Sequence, residues 1–330
     1  MTEPTKKHRV LSIGGATFDL FARTVMPFTH IDAGSKVPID NVIEACGGGA
    51  ANTSVGMKRL GCDAFFCGVI GSDQWGDKLL RNFDIEEVNT SAATIVEGET
   101  TSFSIIIAVA GGDRIIFTTP GTNRHLQDAT FDRELAKTMD WMYLNRLHEK
   151  SFIIQDDIAA LVSAKDGPKF TWNPGGRQIE DGAESLANRS LLAHTTLLLV
   201  NREEALAFSQ QETLENAHRL FHSLGVGISC ITDGSNGTTA FDGTQFYRCG
   251  TLSTASAIVD TTGAGDAFGS GMTWALLHGK DLPNCLRAGT INATSVIGAI
   301  GAETELLTDT EMDRRLTSVP LPVEVLSALP

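Results

Sequence analysis

Apolar residues in this chain fall into two spacings. Short runs suited to buried strands alternate with stretches in which apolar positions recur every three or four residues, the period of an amphipathic helix. The first run, RVLSIGGATFD, reads as a buried strand stopped at Gly14-Gly15. GGGAANTSVGMKRLG (47–61) carries Ala51, Val55 and Leu60 on one helical stripe and ends at Gly61, a plausible helix stop. AFFCGVIG then reads as a strand and DQWGDKLLRNF as a helix. Beyond these the alternation becomes regular. Strands WMYLN, KFTWN, TLLLVN and ISCIT are separated by QDDIAALVSAK, a helix around 181–193, REEALAFSQ and ETLENAHRLFHSLG. Strands alternating with helices of this length predict βαβ units and a mostly parallel sheet.

Two stretches break that rhythm. Residues 19–46 hold only short extended pieces such as SKVPIDNVIEA. TSFSIIIAVAGGDRIIFTT (101–119) is two β-rich runs about Gly111-Gly112-Asp113, a hairpin signal. We read insertions around 19–46 and 93–119 as a small β-rich second layer on a single domain spanning 1–330. No repeat, low-complexity tract or Pro/Gly/Ser linker divides the chain, and 330 residues lie within reach of one large α/β domain.

Composition narrows the function. A formal charge of −14, with its notable basic cluster confined to Lys6-Lys7-His8-Arg9, argues against a nucleic-acid partner. No apolar stretch approaches the roughly 20 residues of a membrane helix, and Val10-Leu11-Ser12-Ile13 is too short for a signal-peptide core. Six scattered cysteines without a CxxC pair predict reduced, buried thiols and a cytoplasmic protein. His218 and His222, four apart, lack a third metal ligand nearby and are expected to form a surface or half-buried pair.

The chemistry concentrates in DTTGAGDAFGSG, residues 260–271. It is not a dinucleotide fingerprint, because position 268 is Phe, nor a Walker A loop, which needs GK[ST]. AFGSGMTWALLHG continues at helical spacing, so the glycines lead into a helix N-terminus whose free N–H groups favour an anion. Asp266 in that first turn has two readings. It either completes the helix end, worth roughly 0.3–1 kcal/mol, or takes a proton from an attacking hydroxyl while neighbouring N–H groups hold a phosphoryl group.

DTTGAGD resembles the C-terminal signature of the ribokinase-like (PfkB-type) carbohydrate kinases, and GGGAAN at 47–52 resembles their N-terminal one. Between them, NREE (201–204) is similar to the family's NxxE motif and TDGSNG (232–237) to its nucleotide loop. Four short motifs in family order, within a resemblance spanning residues 14 to 301, make it specific. The resemblance implies a three-layer α/β/α fold with a mostly parallel central sheet and a small β-rich lid. It implies Asp266 as catalytic base and Gly263, Ala264 and Gly265 as an anion hole. Asn201 and Glu204 match the pair organising Mg²⁺ and its waters beside ATP; Thr232, Gly234, Ser235 and Gly237 match the nucleotide loop, and Asn292 an adenine contact. On the acceptor side, Asp19 matches an aspartate that binds substrate hydroxyls, with Gly47, Gly48 and Asn52 lining the same pocket. Asp260 and Thr262 match positions that help hold a monovalent cation in many members. GAETEL lacks the Pro-Ser of potassium-activated relatives, a departure at that site.

Several residues carry weaker signals. Arg114 is either an exposed hairpin charge or a lid arginine reaching the substrate. Asn145 and His148 follow a strand near the acceptor side, and Trp172 ahead of Asn173 is expected to pack. Gly49 stands where members acting on phosphorylated sugars often carry a basic residue, which favours an unphosphorylated acceptor. The expected activity is ATP-dependent phosphorylation of a primary hydroxyl on a free sugar, with possible homodimers through the lid. The rival is a nucleoside kinase, with Phe18, Phe21, Phe103 or Phe117 stacking on a base. A non-catalytic ligand-sensing member is the remaining class.

Overall fold

The computed structural model describes residues 7–24, 26, 34–109, 114–125, 131–148, 153–252 and 258–329. The chain opens with β1 (Arg9–Ile13), β2 (Thr17–Thr24) and β3 (Asn41–Gly47), then α1 (Gly49–Arg59), β4 (Asp63–Cys67), β5 (Val69–Gly71) and α2 (Gln74–Ile85). β6 (Thr94–Val96), β7 (Phe103–Val109) and β8 (Arg114–Thr119) follow, before α3 (Arg133–Ala136), β9 (Trp141–Leu144), α4 (Ile153–Val162) and β10 (Lys169–Trp172). Next come α5 (Arg177–Glu180), α6 (Leu186–Leu192), β11 (Leu197–Asn201), α7 (Arg202–Ser209) and α8 (Leu214–Ser223). The chain then forms β12 (Ile228–Thr232), β13 (Thr238–Phe241), β14 (Phe246–Cys249), α9 (Ala264–Leu277), α10 (Leu282–Val296), α11 (Asp309–Ser318) and β15 (Val323–Leu326).

Nine strands form one sheet in the order β15-β14-β13-β12-β11-β10-β9-β1-β4. The strands from β4 to β12 pair in parallel, and β13, β14 and β15 add an antiparallel edge. Side-chain alternation makes this sheet the middle of three layers. Trp141, Tyr143, Leu197 and Leu199 pack on one face with Phe268, Met272 and Leu286. Met142, Leu144, Leu198 and Val200 pack on the other with Ile154, Leu191, Phe208 and Phe221. Both faces are therefore apolar, which is why these strands read as continuous hydrophobic runs.

The 19–46 and 101–119 stretches meet in a separate four-stranded sheet, β3-β2-β7-β8. β2 runs antiparallel to β3 and parallel to β7, and β7 turns back antiparallel into β8. The 111–113 turn lies outside the described residues. A ring cluster ties this sheet to α2: Trp75 packs on both Phe18 and Phe103, with centroids 5.0 and 4.8 Å away, while the two phenylalanines are 6.4 Å from each other. β6, inside the expected insertion, instead pairs with β5 in a two-stranded sheet of its own.

Other expectations need correction. The helix expected around 181–193 is shorter, α6 over 186–192, and the turn at Gly182 (φ 78°) parts it from the preceding α5. Asn188 Nδ2 donates to the carbonyls of Gln178 and Gly182 and holds that break closed. His218 is fully buried rather than half-exposed, its ring nitrogens bonded to Ser229 Oγ (2.7 Å) and Thr239 Oγ1 (3.0 Å). Burial pushes its pKa down to about 3. All six cysteines are unpaired, five of them buried. No helix among the described residues is long and apolar enough to cross a membrane.

Candidate active site

In parallel sheets the carboxyl ends of adjacent strands gather at one edge, and ligands bind in the crevice outside it. Gly14 follows β1, Asn145 follows β9, Asn173 follows β10, Asn201 ends β11 and Thr232 ends β12. Three cavities open along that edge. The largest, about 660 Å³, is walled by Gly48, Asn123, Asn145, Arg146, Glu204 and Asp266 among others. A small one of about 160 Å³ shares Asn173 and Glu204 with it and adds Asn201, Thr232, Gly265 and Phe268. A third, about 330 Å³ and mostly apolar, shares Thr232, Gly265 and Phe268 with the second. Together they make one groove with a polar end and an apolar end.

Asp266 stands at the polar end, in the first turn of α9. Gly263 caps that helix at φ 77°, and a Cβ there would come within 2.7 Å of Ala302 Cα, so only glycine fits the turn. Asn52 Nδ2, from α1, donates to Asp266 Oδ2 across 2.7 Å. Burial pushes the Asp266 carboxyl up to about 6, against the smaller downward pull of Asn52. A carboxylate tuned to that range can accept a proton near neutral pH. Asn52 Oδ1 and Asn145 Oδ1 are both buried without a hydrogen-bond partner among the described residues, and Asn145 lines the large cavity.

Gly48 (φ 96°) brings the start of α1 against the β1–β2 connection; a Cβ there would lie 2.6 Å from the carbonyl oxygen of Gly15. Asp19, on β2, sits against Gly47, whose added Cβ would meet Asp19 Oδ2 at 2.7 Å. Burial pushes the Asp19 carboxyl up to about 6, with Ser104 hydrogen-bonding in opposition and the charge of Asp260 adding to the rise. Asp19, Gly47 and Asn52 flank the large cavity through Gly48 and Asp266 rather than line it.

On the nucleotide side, Asn201 and Glu204 form a capping box on α7. Asn201 Oδ1 accepts from the Glu204 N–H (2.9 Å), and Glu204 Oε2 accepts from the Asn201 N–H (3.0 Å). The pair thus caps the helix, and it leaves the Asn201 amide NH₂ and Glu204 Oε1 for a ligand. Burial raises the Glu204 pKa. Thr232, Gly234, Ser235 and Gly237 all line the apolar cavity. Ala264 and Gly265 line its inner wall.

Asn292 does not join them. Its side chain is fully buried, donating to the Ala267 carbonyl (2.8 Å) and accepting from the Leu307 N–H (3.2 Å). Thr290, Ala293, Thr294 and Ile297 line the cavity instead. These four recur at helical spacing on one face of the α10 region, and position 292 points away from it toward α9. Asp260 Oδ1 accepts from the Thr262 N–H (3.0 Å) and hydroxyl (2.8 Å), so these two fix the turn ahead of α9. Arg114 opens β8, and its side chain lies outside the described residues. Trp172 packs edge-on against Phe208, as expected.

Sequence reading missed Asn123 and Arg146. Asn123 Oδ1 accepts from the Ala16 N–H (3.2 Å), closing the cavity from the turn Gly121–His125. An asparagine after Pro-Gly looks like ordinary turn chemistry, and nothing local distinguishes it. Among the described residues no three or more His, Cys, Asp or Glu side chains gather as a metal cage. Glu204, with one oxygen left for a water shell, fits the way Mg²⁺ is usually held, through few carboxylates and retained waters.

The chain matches the model of the pfkB family carbohydrate kinases over residues 7–309. An uncharacterized sugar kinase of Archaeoglobus fulgidus is 31% identical over 252 residues, 75% of this chain and 96% of that one. A nucleoside kinase of Methanocaldococcus jannaschii is 25% identical over 317 residues, 94% and 97% of the two chains. The structure of Arabidopsis thaliana ribokinase complexed with ribose and ATP superposes with a TM-score of 0.78 at 22% identity, covering 94% of this chain and 99% of that one. The groove, the motif order and these likenesses agree: the chain belongs to the pfkB family of carbohydrate kinases and is a sugar or nucleoside kinase with the ribokinase fold.

Proposed function

We propose that this protein transfers the γ-phosphoryl group of ATP to a primary hydroxyl of an unphosphorylated sugar, with Asp266 as the base. One observation carries the reading. A carboxylate raised to about 6 is held by Asn52 at the end of a cavity whose lining includes the amides Asn123, Asn145 and Asn173 and the hydroxyls Thr17 and Thr118. Amides, hydroxyls and bare glycine backbone match hydroxyl groups, and among the described residues no Phe, Tyr or Trp ring lines that cavity, whose one imidazole is that of His148. Of the four rings expected to stack on a nucleoside base, Phe18 and Phe103 are engaged with Trp75, and Phe21 and Phe117 do not line the cavity.

In the step itself the acceptor oxygen bonds to Pγ as the bond from Pγ to the β,γ-bridging oxygen breaks. The hydroxyl proton passes to Asp266, and ADP leaves with the released charge. The N–H groups of Ala264, Gly265 and Asp266 face the oxygens of the migrating group. Asp19 accepts from acceptor hydroxyls beside Gly47. Glu204 and Asn201 would hold Mg²⁺ through water, and the ion when bound offsets charge on the β and γ oxygens. Thr232 and the 234–237 loop hold the nucleotide against Ala293 and Thr294. Asp260 and Thr262 shape the turn ahead of α9 through their mutual hydrogen bonds; rates compared in potassium and sodium salts test whether the Asp260 carboxylate also holds a monovalent cation.

We assign the four-stranded sheet as a lid that excludes water. Its exposed Val42, Ile115, Ile116 and Phe117 suit a second copy of the chain. We place the protein in the cytoplasm, where ATP and unpaired cysteines coexist.

A panel of free sugars and nucleosides, assayed for acceptor-dependent ADP formation, tests the substrate class. Turnover with adenosine or cytidine and with no pentose or hexose would replace the sugar reading with a nucleoside one. Asp266→Asn tests the base: turnover within about tenfold of wild type would remove that assignment.

A further inference from the structure

Arg146 follows directly on from β9 and Asn145. Asn145 and Leu147 on either side are each 2% exposed, so the backbone is fixed while the arginine side chain projects into solvent. It lines the large cavity together with Asp266 and Glu204. Neither acid binds it, and it has no hydrogen-bond or ion-pair partner among the described residues. Its stem lies on bare backbone of the loop after β10. A Cβ on Gly175 would come 3.0 Å from Arg146 Cδ, and one on Gly176 would come 2.9 Å from Nε and Nη2. Its charge still reaches Glu204, where it favours the ionised carboxylate.

An arginine with fixed ends, a smooth track for its stem and no partner in a cavity that also holds two acids is kept for an anion. We propose that Arg146 donates its planar guanidinium to the non-bridging oxygens of the phosphoryl group as it passes from nucleotide to acceptor. The proposal rests on the reading of Asp266 and Glu204 given above. Arg146 shares the large cavity with both ends of the transfer path: Asp266, and Glu204, which also lines the small cavity that holds Asn201 and Thr232. A guanidinium matches paired oxygens with two parallel hydrogen bonds, and backbone N–H groups alone supply no net charge. As charge spreads over three oxygens in the transition state, this contact strengthens. Nothing in the local sequence marks the residue, since NRLHEK resembles no loop for phosphate.

The test uses full-length protein carrying Arg146→Ala, Arg146→Lys, Gly175→Ala and the Gly175→Ala/Arg146→Ala pair. Arg146→Ala is expected to lower kcat by about 10²–10³-fold with acceptor KM within about threefold, and Arg146→Lys to recover only part of that loss. Gly175→Ala should lower kcat through its methyl group on the arginine stem, and have little further effect once Arg146 is Ala. Titration calorimetry adds a readout that needs no acceptor. Arg146→Ala should weaken a non-hydrolysable ATP analogue about tenfold and leave ADP unchanged. That arm stands even if no sugar is turned over, so failure of the acceptor assignment is separable from failure of this one. An unchanged analogue affinity with kcat within about threefold of wild type overturns the proposal. A raised acceptor KM with unchanged kcat also overturns it, and would assign Arg146 to an acidic group on the acceptor instead.

Discussion

Asn52 donates to Asp266 across 2.7 Å, joining residues 214 positions apart in the chain. The first belongs to the N-terminal glycine motif and the second to the C-terminal one. Their bond makes two distant signatures one site, and it favours the ionised form of the proposed base against the larger effect of burial.

The pH profile should show this. Asp266 must be ionised to accept a proton, so kcat/KM is expected to fall as pH drops through about 6. Asn52 favours the ionised form, so Asn52→Ala should move the acid limb to higher pH. Asp19, also raised to about 6, should weaken acceptor binding over the same interval. A profile flat from pH 5 to 8 would remove Asp266 from the proton path.

Burial that raises a carboxyl pKa destabilises the fold when the group ionises. For Asp266, and for Glu303, pushed up to about 7 chiefly by burial, folding is favoured below the ordinary carboxylate range and that advantage is lost as pH rises through the raised value. Glu303→Gln is therefore expected to raise the melting temperature by about 2–4 °C at pH 8 and by little at pH 5. Scanning calorimetry at the two pH values checks it.

Gly263 and Gly265 sit two residues apart yet should fail differently. Gly263→Ala places a Cβ against Ala302 at a positive φ and should cost about 1–3 kcal/mol of stability together with activity. A Cβ on Gly265 meets nothing within 4 Å, so Gly265→Ala should leave thermal stability intact. Its methyl group would still enter the groove both cavities share, and kcat should fall by at least about tenfold.

On α10, neighbouring residues should separate packing from binding. Asn292→Ala strands the Ala267 carbonyl and Leu307 N–H and should cost about 1–3 kcal/mol with ATP KM unchanged. Ala293→Phe fills the apolar cavity and should raise ATP KM while sparing the fold, as chemical denaturation and steady-state kinetics on both variants would show.

The sequence by itself determined the alternating strands and helices, because a sheet buried on both faces writes its strands as apolar runs with helical periods between them. It also determined which glycines and acids form motifs, since Gly48 and Gly263 are local backbone requirements visible as short patterns. Tertiary structure alone decided what depends on direction and distance. Asn292 differs from Ala293 by one helical step, and only packing says that the first faces α9 and the second the groove. The antiparallel edge of β13, β14 and β15 is built from strands of four residues, too short to carry a period. Asn123 and Arg146 belong to the groove because strand ends converge there; no spacing along the chain encodes that convergence.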